Sequence, residues 1–340
     1  MQNEIINSSD LLDDKGSLIQ RGWARDLILN YNREKIGVGW HRIKEWDYYA
    51  ILTPKYGITI TAADLGIMGL FSVVWLDFEA KIFIPEEETR FLTKGKTNLP
   101  RTSKTGDLTF KGKKLELLFK RKPESRILTI NFPSFNKNQG LKGEIILFQD
   151  PKMDSIVVAT PWKKNPRAFY YNQKINCMPA KGTVYMSDHE YSFSKKDSFG
   201  VLDWGRGVWT YKNTWYWGSA SGLVDNVLFG FNIGYGFGDT SAASENTVFY
   251  NNKAHKLDQV TFHFDPRDYL LPWKFTSNDG RFEMDFKPLL DRNSIVNLLI
   301  FKSVQHQVFG YFTGHVILDD GQKIQVKDLL GFAEKVYNRW

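Results

Sequence analysis

Apolar and charged residues alternate along much of this chain, and the alternation is clearest at residues 281–287. Phe282, Met284 and Phe286 are separated there by single charged residues. Successive side chains of a strand point to opposite faces, so this period of two predicts a half-buried β-strand. Further strands are predicted at Lys114–Lys120, Ile127–Phe132, Glu144–Phe148, Val260–Phe264, Ile295–Phe301 and Val308–Leu318.

About fourteen or more such segments follow one another, separated by turn signals rich in Gly, Pro and Asn. They predict an all-β protein made of two consecutive antiparallel β-barrels or sandwiches. A polar, Pro-interrupted stretch at residues 150–166 marks the predicted boundary. The predicted divisions are a lead-in segment at residues 1–20, an N-terminal barrel at 21–160 and a C-terminal barrel at 161–340.

One helix is expected, at the C-terminal end of the chain. Asp328 is a suitable N-cap residue, and the apolar positions after it recur at helical spacing. The predicted short C-terminal helix would bury Leu329, Leu330, Ala333 and Val336.

The single cysteine, Cys177, rules out an intrachain disulfide, and the first residues are polar and acidic rather than signal-like. Both features predict a cytoplasmic protein. The longest apolar run, Leu65–Leu76, is shorter than the roughly 20 residues that a membrane helix needs. No transmembrane segment is therefore expected.

Positive charge is concentrated between Lys94 and Arg126, where eleven Lys or Arg residues accompany three acidic residues. Two interpretations are open. The window can contact an anionic surface, or it can be the solvated face of a hairpin, as the alternation of Lys114, Glu116 and Lys120 with apolar residues indicates. No nucleic-acid recognition signature accompanies the charge, so no nucleic-acid partner is expected.

The segment Ser198–Tyr250 combines four Trp residues with nine Gly residues. Large rings favour burial, and glycines allow close backbone approach, so this composition is typical of a cavity wall. The predicted ligand-binding residues are Trp204, Arg206, Trp209, Trp215, Trp217, Asn232, Asn246 and His255.

Two carboxylates in this region, Asp203 and Glu245, are the candidate catalytic residues. If both face one cavity, they form an acid–base pair. Two structural alternatives are open. Asp203 can pair with Arg206 to hold a turn, and Glu245 can bond to backbone groups of the Gly-rich loop.

No cofactor or metal is expected. The six His residues do not stand at metal-ligand spacing. The run Gly234-Tyr235-Gly236-Phe237-Gly238 has no helix pattern after it, so it predicts a curved strand rather than a phosphate loop.

The strings VLDWGRGVWTYKNTWYWGSASG, FNIGYGFGD, ENTVFYNNKAHKL and GFAEKVYNRW resemble the domain-of-unknown-function 2804 family. That family is similar to two-barrel lipocalin-like proteins, which include carotenoid hydratases, tocopherol cyclases and a fungal stress-survival factor. The resemblance implies two consecutive lipocalin-like barrels, and it carries no established activity. In the carotenoid hydratases an acidic residue is thought to protonate an alkene, and Asp203 is the position to compare.

Three functions fit these patterns. The favoured one is binding of a hydrophobic small molecule, such as a lipid or isoprenoid, in a β-barrel cavity. The second is a hydratase, cyclase or isomerase that uses Asp203 and Glu245 without a cofactor. The third is a carbohydrate-active protein in which exposed Trp rings stack on sugars.

Overall fold

A computed structural model describes residues 2–297 and 302–339. The last residues of the predicted strand Ile295–Phe301 therefore lie outside the described residues. The described ranges contain 24 strands and three short helical turns, at Arg33–Lys35, Trp40–Arg42 and Phe135–Asn138. Among the described residues, no helix is both long and apolar enough to cross a membrane.

The strands up to Val208 are β1 Ser9–Asp10, β2 Gly22–Ala24, β3 Leu29–Asn30, β4 Ile43–Leu52, β5 Tyr56–Asp64, β6 Met68–Asp77, β7 Ile82–Phe91, β8 Leu108–Lys111, β9 Glu116–Lys122, β10 Ser125–Phe132, β11 Leu141–Phe148, β12 Ile156–Trp162, β13 Asn165–Met186, β14 His189–Phe193 and β15 Phe199–Val208. The later strands are β16 Lys212–Val224, β17 Val227–Tyr235, β18 Thr247–Tyr250, β19 Lys253–Lys256, β20 Val260–His263, β21 Trp273–Ser277, β22 Phe282–Asn297, β23 Lys302–Ile317 and β24 Lys323–Arg339.

These strands confirm the predicted all-β fold of two consecutive lipocalin-like barrels. The first sheet runs in the order β7-β6-β5-β4-β15-β13-β11-β10-β9-β8, with β12, β14 and β2 attached beside it. The second sheet runs β19-β18-β17-β16-β24-β23-β22-β21-β20. Both sheets curl. The edges of the first approach each other where the Glu88 carboxylate of β7 accepts backbone N–H groups of Lys113 and Lys114, beside β8.

The chain changes sheet between Val208 and Lys212. The predicted boundary at residues 160 and 161 lies inside the first sheet instead, because β13 and β15 pair with β11 and β4 of that sheet. The stretch at residues 150–166 contains β12, which pairs with β13 across the turn at residues 163–164. The Trp/Gly-rich segment therefore supplies the last strand of the first barrel and the first strands of the second.

The first residues of the chain are docked on the protein. β1 pairs with β3, and Leu11 and Leu12 are buried. The backbone N–H of Asn3 donates to the carbonyl of Ala242 at 2.8 Å. The predicted lead-in segment therefore contacts the first sheet, through the Glu4–Trp23 bridge, and the loop that follows β17.

The predicted C-terminal helix is wrong, because Lys323–Arg339 forms β24 in the centre of the second sheet. One face of β24 packs inside the second barrel and the other packs against the first sheet. Residues 331–334 are therefore buried in succession, and a strand buried on both faces loses its period of two. Asp328 caps no helix. Its φ of 49° lies at an irregularity in the β23–β24 pairing.

The run at Gly234 is also different from the predicted curved strand. β17 ends at Tyr235, and Gly236 and Gly238 adopt positive φ angles in the loop that follows. This loop, residues 236–246, carries Glu245 near its end.

The buried apolar side chains of the described residues form four clusters. One fills the first barrel and includes Trp75, Trp204 and Phe169, and another fills the second barrel around Phe231 and Phe312. The third lies where the sheets meet, around Trp217 and Phe332, and the fourth includes Tyr170 and Phe237. The candidate site borders the third and fourth clusters.

Candidate functional site

A row of polar side chains crosses the face of the first sheet that packs against the second. Lys174 of β13, Asp203 of β15 and Tyr48 of β4 are direct cross-strand partners. Directly opposed residues of antiparallel strands share one face, so the three side chains stand side by side. Lys174 is only 2% exposed.

A matching row crosses the second sheet. Trp217 of β16 opposes Glu334 of β24, which opposes Gln307 of β23, which in turn opposes Arg292 of β22. The Glu334 carboxylate accepts the indole N–H of Trp215 at 2.9 Å and the amide of Gln307 at 3.1 Å.

The two rows contact each other directly. The Lys174 ammonium lies 4.1 Å from the centre of the Trp217 ring, a cation–π arrangement. The Tyr48 hydroxyl donates to Gln307 Oε1 at 3.2 Å. The junction between the barrels therefore encloses a continuous polar cluster and does not consist of apolar packing alone.

Lys174 and Asn172 hold the Asp203 carboxylate within this cluster. Lys174 Nζ lies 2.8 Å from Asp203 Oδ1, and the side-chain amide of Asn172 donates to the same oxygen at 2.6 Å. The alternative pairing with Arg206 does not form, because Arg206 is on the other face of β15. It bonds to Asp47 within the first barrel.

Glu245 reaches the same ammonium from the loop after β17. Its Oε2 lies 3.8 Å from Lys174 Nζ and accepts the amide of Asn232 at 3.3 Å. Burial raises the pKa of the Glu245 carboxyl above its ordinary value, and the Asp203 charge adds to this, while the Lys174 ammonium opposes it. The acid form of Glu245 therefore persists to higher pH than that of a solvated Glu.

Gly234 makes room for this carboxylate. A Cβ placed on Gly234 would stand 2.3 Å from Glu245 Oε1 and 2.9 Å from the carbonyl oxygen of Tyr216. Only a residue without a side chain allows Glu245 to pack so closely on β17.

A small cavity opens beside Glu245. It has a volume of about 10 Å³ and is lined by Val158, Thr160, Tyr170, Gly234, Tyr235, Phe237, Thr240, Ala243 and Glu245. That volume is close to the minimum for one water molecule. Burial also raises the pKa of the Tyr170 hydroxyl well above its ordinary value, and the Glu245 carboxylate contributes. Tyr170 is therefore a neutral hydrogen-bonding group at this wall.

Glu334 is the third carboxylate of the cluster. Burial raises its pKa to about 7, although the indole N–H of Trp215 favours the charged form. Glu334 therefore changes its charge near neutral pH.

The structure brings together only some of the predicted site residues. Asn232 bridges Trp217 and Glu245, because it accepts the Trp217 indole N–H at 2.7 Å. Asn246 supports the loop by accepting the backbone N–H of Gly234 and donating to the carbonyl of Asp258. Trp209 and Trp215 pack edge-on against Phe237 of the same loop.

Three predicted ligand-binding residues lie elsewhere. Trp204 and Arg206 are on the opposite face of β15 from Asp203, inside the first barrel. His255 pairs with Asp319 at 3.3 Å beside the turn before β24, away from Lys174.

The predicted site residues did not include Glu334, Tyr48 or Lys174. Lys174 follows Tyr170 and Asn172 at a spacing of two, which was the available signal that it shares their buried face. Glu334 carried no such signal, because it fell on the exposed side of the predicted helix. Among the described residues, no three His, Cys, Asp or Glu side chains are grouped as metal ligands.

The fold is similar to solved structures of low sequence identity. The crystal structure of a protein described as AttH from Nitrosomonas europaea superposes with a TM-score of 0.55 and 13% identity, covering 86% of this chain and 92% of that chain. Kievitone hydratase from Nectria haematococca gives a TM-score of 0.48 at 9% identity, with 98% of each chain covered. CghA with Sch210972 gives 0.44 at 9% identity, covering 98% of this chain and 97% of that chain.

At these identities the likeness extends to the fold alone. No curated protein matches the sequence. The model of the domain-of-unknown-function 2804 family matches residues 2–340, and the chain therefore belongs to that family.

Proposed function

We propose that this protein catalyses acid–base chemistry on a small, largely apolar molecule bound between its two barrels. The observation that carries the proposal is that Asp203 and Glu245 meet at one buried ammonium, Lys174 Nζ, at 2.8 and 3.8 Å. Buried ionisable groups with perturbed pKa values concentrate at reactive sites. The reaction class is hydration, cyclisation or isomerisation of an alkene or related unsaturated group.

Glu245 is the proton donor in this proposal. Its raised pKa keeps the carboxyl protonated at higher pH than usual, and it borders the small cavity beside Tyr170 and Phe237. The proton passes from the Glu245 carboxyl to a substrate carbon. The resulting carboxylate is stabilised by the Lys174 ammonium, and the substrate becomes a carbocation. In hydration a water oxygen bonds to the cationic carbon and releases a proton to Glu245. In isomerisation or cyclisation a carbon next to the cationic carbon loses a proton to Glu245 and a new double bond forms.

Asp203 has a different role from Glu245. It holds Lys174 in place through its 2.8 Å contact and is itself fixed by Asn172. Asp203 therefore positions the cation that stabilises the deprotonated donor. Aromatic rings around the site exclude water and suit an apolar substrate.

Substrate binding requires the site to enlarge, because a cavity of about 10 Å³ holds at most one water molecule. The loop at residues 236–246 is the covering element that we expect to move. It contains Gly236 and Gly238 with positive φ angles, and it bears Phe237 and Glu245.

The test uses a mixture of isoprenoid alkenes and unsaturated fatty acids, incubated with the protein in ¹⁸O-labelled water or in D₂O. We expect ¹⁸O incorporation for hydration, or deuterium incorporation for isomerisation or cyclisation. Glu245→Gln should lower the labelling rate by a factor of about 10²–10⁴, the usual contribution of a general acid. Asp285→Asn removes an exposed carboxylate and should leave the rate unchanged. Equal labelling by Glu245→Gln and the unmodified protein would contradict the proposal.

Ligand binding without turnover is the second candidate, and one observation favours it. An open cleft of about 440 Å³ lies between the sheets and is lined by Glu124, Phe148, Gln149, Asp150, Pro151, Met153, Cys177, Pro179, Leu228 and Asn252. That volume is in the range of small-molecule sites. This second function would be favoured if the same apolar molecule copurified with Glu245→Gln and with the unmodified protein, and if both proteins released it chemically unchanged.

The carbohydrate hypothesis gains no support from the Trp rings. Trp217 is buried, and Trp209 and Trp215 pack edge-on against Phe237. Sugar binding by stacking needs ring faces in an open groove.

A further inference from the structure

Four arginines meet inside the first barrel, on the opposite face of the sheet from the candidate acid–base site. We infer that this interior binds a small oxyanion, such as a phosphate or carboxylate group. The arginines are Arg33, Arg121, Arg126 and Arg206.

Two carboxylates join most of the cluster. Asp47 lies 3.0 Å from Arg206 Nη2 and 3.4 Å from Arg121 Nη2. Glu45 contacts Arg33 and lies 3.9 Å from Arg206 Nε. The side chains of Asp47 and Glu45 are 1% and 5% exposed, so their charges are almost fully desolvated.

Arg126 completes the cluster through neutral partners. It donates to Tyr49 Oη at 3.5 Å, to the carbonyl of Ser103 at 3.1 Å and to Gln149 Oε1 at 2.9 Å. Burial keeps the pKa of Tyr49 above its ordinary value, so the hydroxyl adds no negative charge.

The carboxylates do not balance the arginines. Glu45 and Asp47 are two negative charges against four guanidinium groups. The buried Asp64, directly opposite Glu45, accepts hydrogen bonds from Thr93 and Thr97, and the buried ammonium of Lys44 offsets its charge. The nearby Tyr31 donates to Glu45 at 2.8 Å, and burial raises its pKa well above the ordinary value. Asp107 accepts only the backbone N–H of Arg121, and it is exposed. A buried excess of positive charge is unfavourable unless an anion compensates it.

Several N–H groups in this cluster also lack an acceptor. Within residues 2–297 and 302–339, no hydrogen-bond partner is found for Arg33 Nη2, Arg121 Nη1, Arg206 Nε or Trp204 Nε1. The Arg206 guanidinium lies 4.3 Å from the centre of the Trp204 ring, so two of these donors belong to stacked side chains. Buried donors are normally satisfied, and four in one network indicate an acceptor-rich ligand.

The chemistry of the donors points to an oxyanion. Guanidinium groups bind carboxylate and phosphate oxygens through forked hydrogen bonds, and they do so best when desolvated. Chloride is a single spherical acceptor, so it does not offer the pair of oxygens that a guanidinium group binds through a forked hydrogen bond.

Part of the basic window between Lys94 and Arg126 lies against this interior. Arg206 Nη2 donates at 2.7 Å to the carbonyl of Pro100, in the loop that carries the exposed residues Lys94 and Lys96. The side chain of Arg33 is 19% exposed, which makes it the most accessible of the four arginines. Exposed positive charge around the loop would attract an anion towards the interior.

The test is calorimetric titration of the full chain with inorganic phosphate, and separately with acetate, in chloride buffer at constant ionic strength. We expect saturable binding of at least one of the two anions at one site per chain. Arg121→Gln and Arg33→Gln should each weaken binding by about tenfold or more, because each removes a charged hydrogen-bond donor.

Lys122→Gln is the matched control, because it removes the exposed charge next to Arg121 and should leave binding unchanged. Arg33→Gln keeps the test decisive if Arg121→Gln does not fold, since Arg33 is partly exposed. Absence of saturable binding for both anions overturns the inference. So does unchanged affinity in Arg33→Gln, or an equal loss in Lys122→Gln, which would indicate a general charge effect.

Discussion

Single residues in the Trp/Gly-rich segment have separate roles because consecutive positions face opposite sides of one sheet. Asp203 faces the second sheet and contacts Lys174, whereas Trp204 and Arg206 lie inside the first barrel. The period of two was already visible in the sequence and separates these side chains. The sequence did not reveal that both faces of β15 are buried, so all three residues were predicted to line one wall.

Gly234→Ala tests the close packing of Glu245 on β17. The added Cβ would stand 2.3 Å from Glu245 Oε1 and 2.9 Å from a backbone oxygen. We expect the free energy of unfolding to fall by about 1–3 kcal/mol, as overpacking usually costs. Gly37→Ala is the control, because its Cβ would be 3.5 Å from the nearest atom outside its own chain neighbours. Equal stability of both variants in urea unfolding would show that Glu245 packs elsewhere.

At the scale of elements, the loop at residues 236–246 covers the candidate site and is held by the start of the chain. Gln2 Oε1 accepts the backbone N–H of Ser244 at 2.7 Å, and Gln2 Nε2 donates to Asp258 Oδ1 at 2.7 Å. The backbone of Asn3 adds a bond to Ala242. The first residues therefore fasten the element that carries Glu245.

Gln2→Ala should loosen this loop without unfolding the barrels. Losing hydrogen bonds worth about 1 kcal/mol each should speed amide hydrogen exchange in the loop by about tenfold. Gln20→Ala is the control, because Gln20 bonds to Asn7 and Ser9. Exchange measured by mass spectrometry should rise at residues 240–246 only in Gln2→Ala. Unchanged exchange there would mean that other contacts hold the loop.

At the scale of the whole molecule, the junction between the barrels carries buried charge that opposes folding. Burial raises the pKa of Glu334 to about 7 from an ordinary value of 4.5. Under the loop that carries Glu245, burial lowers the pKa of Lys256 of β19 to about 7 from 10.5, and its ammonium donates to the carbonyl of Asn246 at 2.9 Å. Unfavourable burial of ionisable groups is expected at a reactive site and not at a junction selected only for stability.

The Glu334 shift predicts how stability depends on pH. The folded state binds the Glu334 proton more tightly than the unfolded state does. The contribution of this proton to the free energy of unfolding is therefore fully present below pH 4.5, and it is lost as the pH rises to about 7. The total loss is on the order of 3 kcal/mol.

Gln mimics the protonated acid, so Glu334→Gln should gain stability over the unmodified protein as pH rises through this window. Urea unfolding at pH 5, 6, 7 and 8 measures the difference, with Asp285→Asn as the exposed control. A difference that stays constant with pH would contradict the raised pKa.

The sequence alone determined most of the strands, the all-β class and the two-barrel fold, because alternation and turn residues act locally. The family followed from the resemblance of the motif strings. It also singled out Asp203 and Glu245 as polar groups in an aromatic segment. It did not determine the change of sheet at residues 209–211 or the strand at Lys323–Arg339. β15, which precedes the change of sheet, and the second half of β24 are buried on both faces, so the local pattern loses its period there.

Only the tertiary structure decided which polar groups meet. Lys174, Asp203, Glu245 and Glu334 come from four separate parts of the chain, and the register of β13, β15, β16 and β24 brings them to one junction. Register depends on long-range pairing, which no local pattern encodes. Packing of one barrel on the other then removed these groups from water, and that desolvation gives Glu245 and Glu334 their raised pKa values.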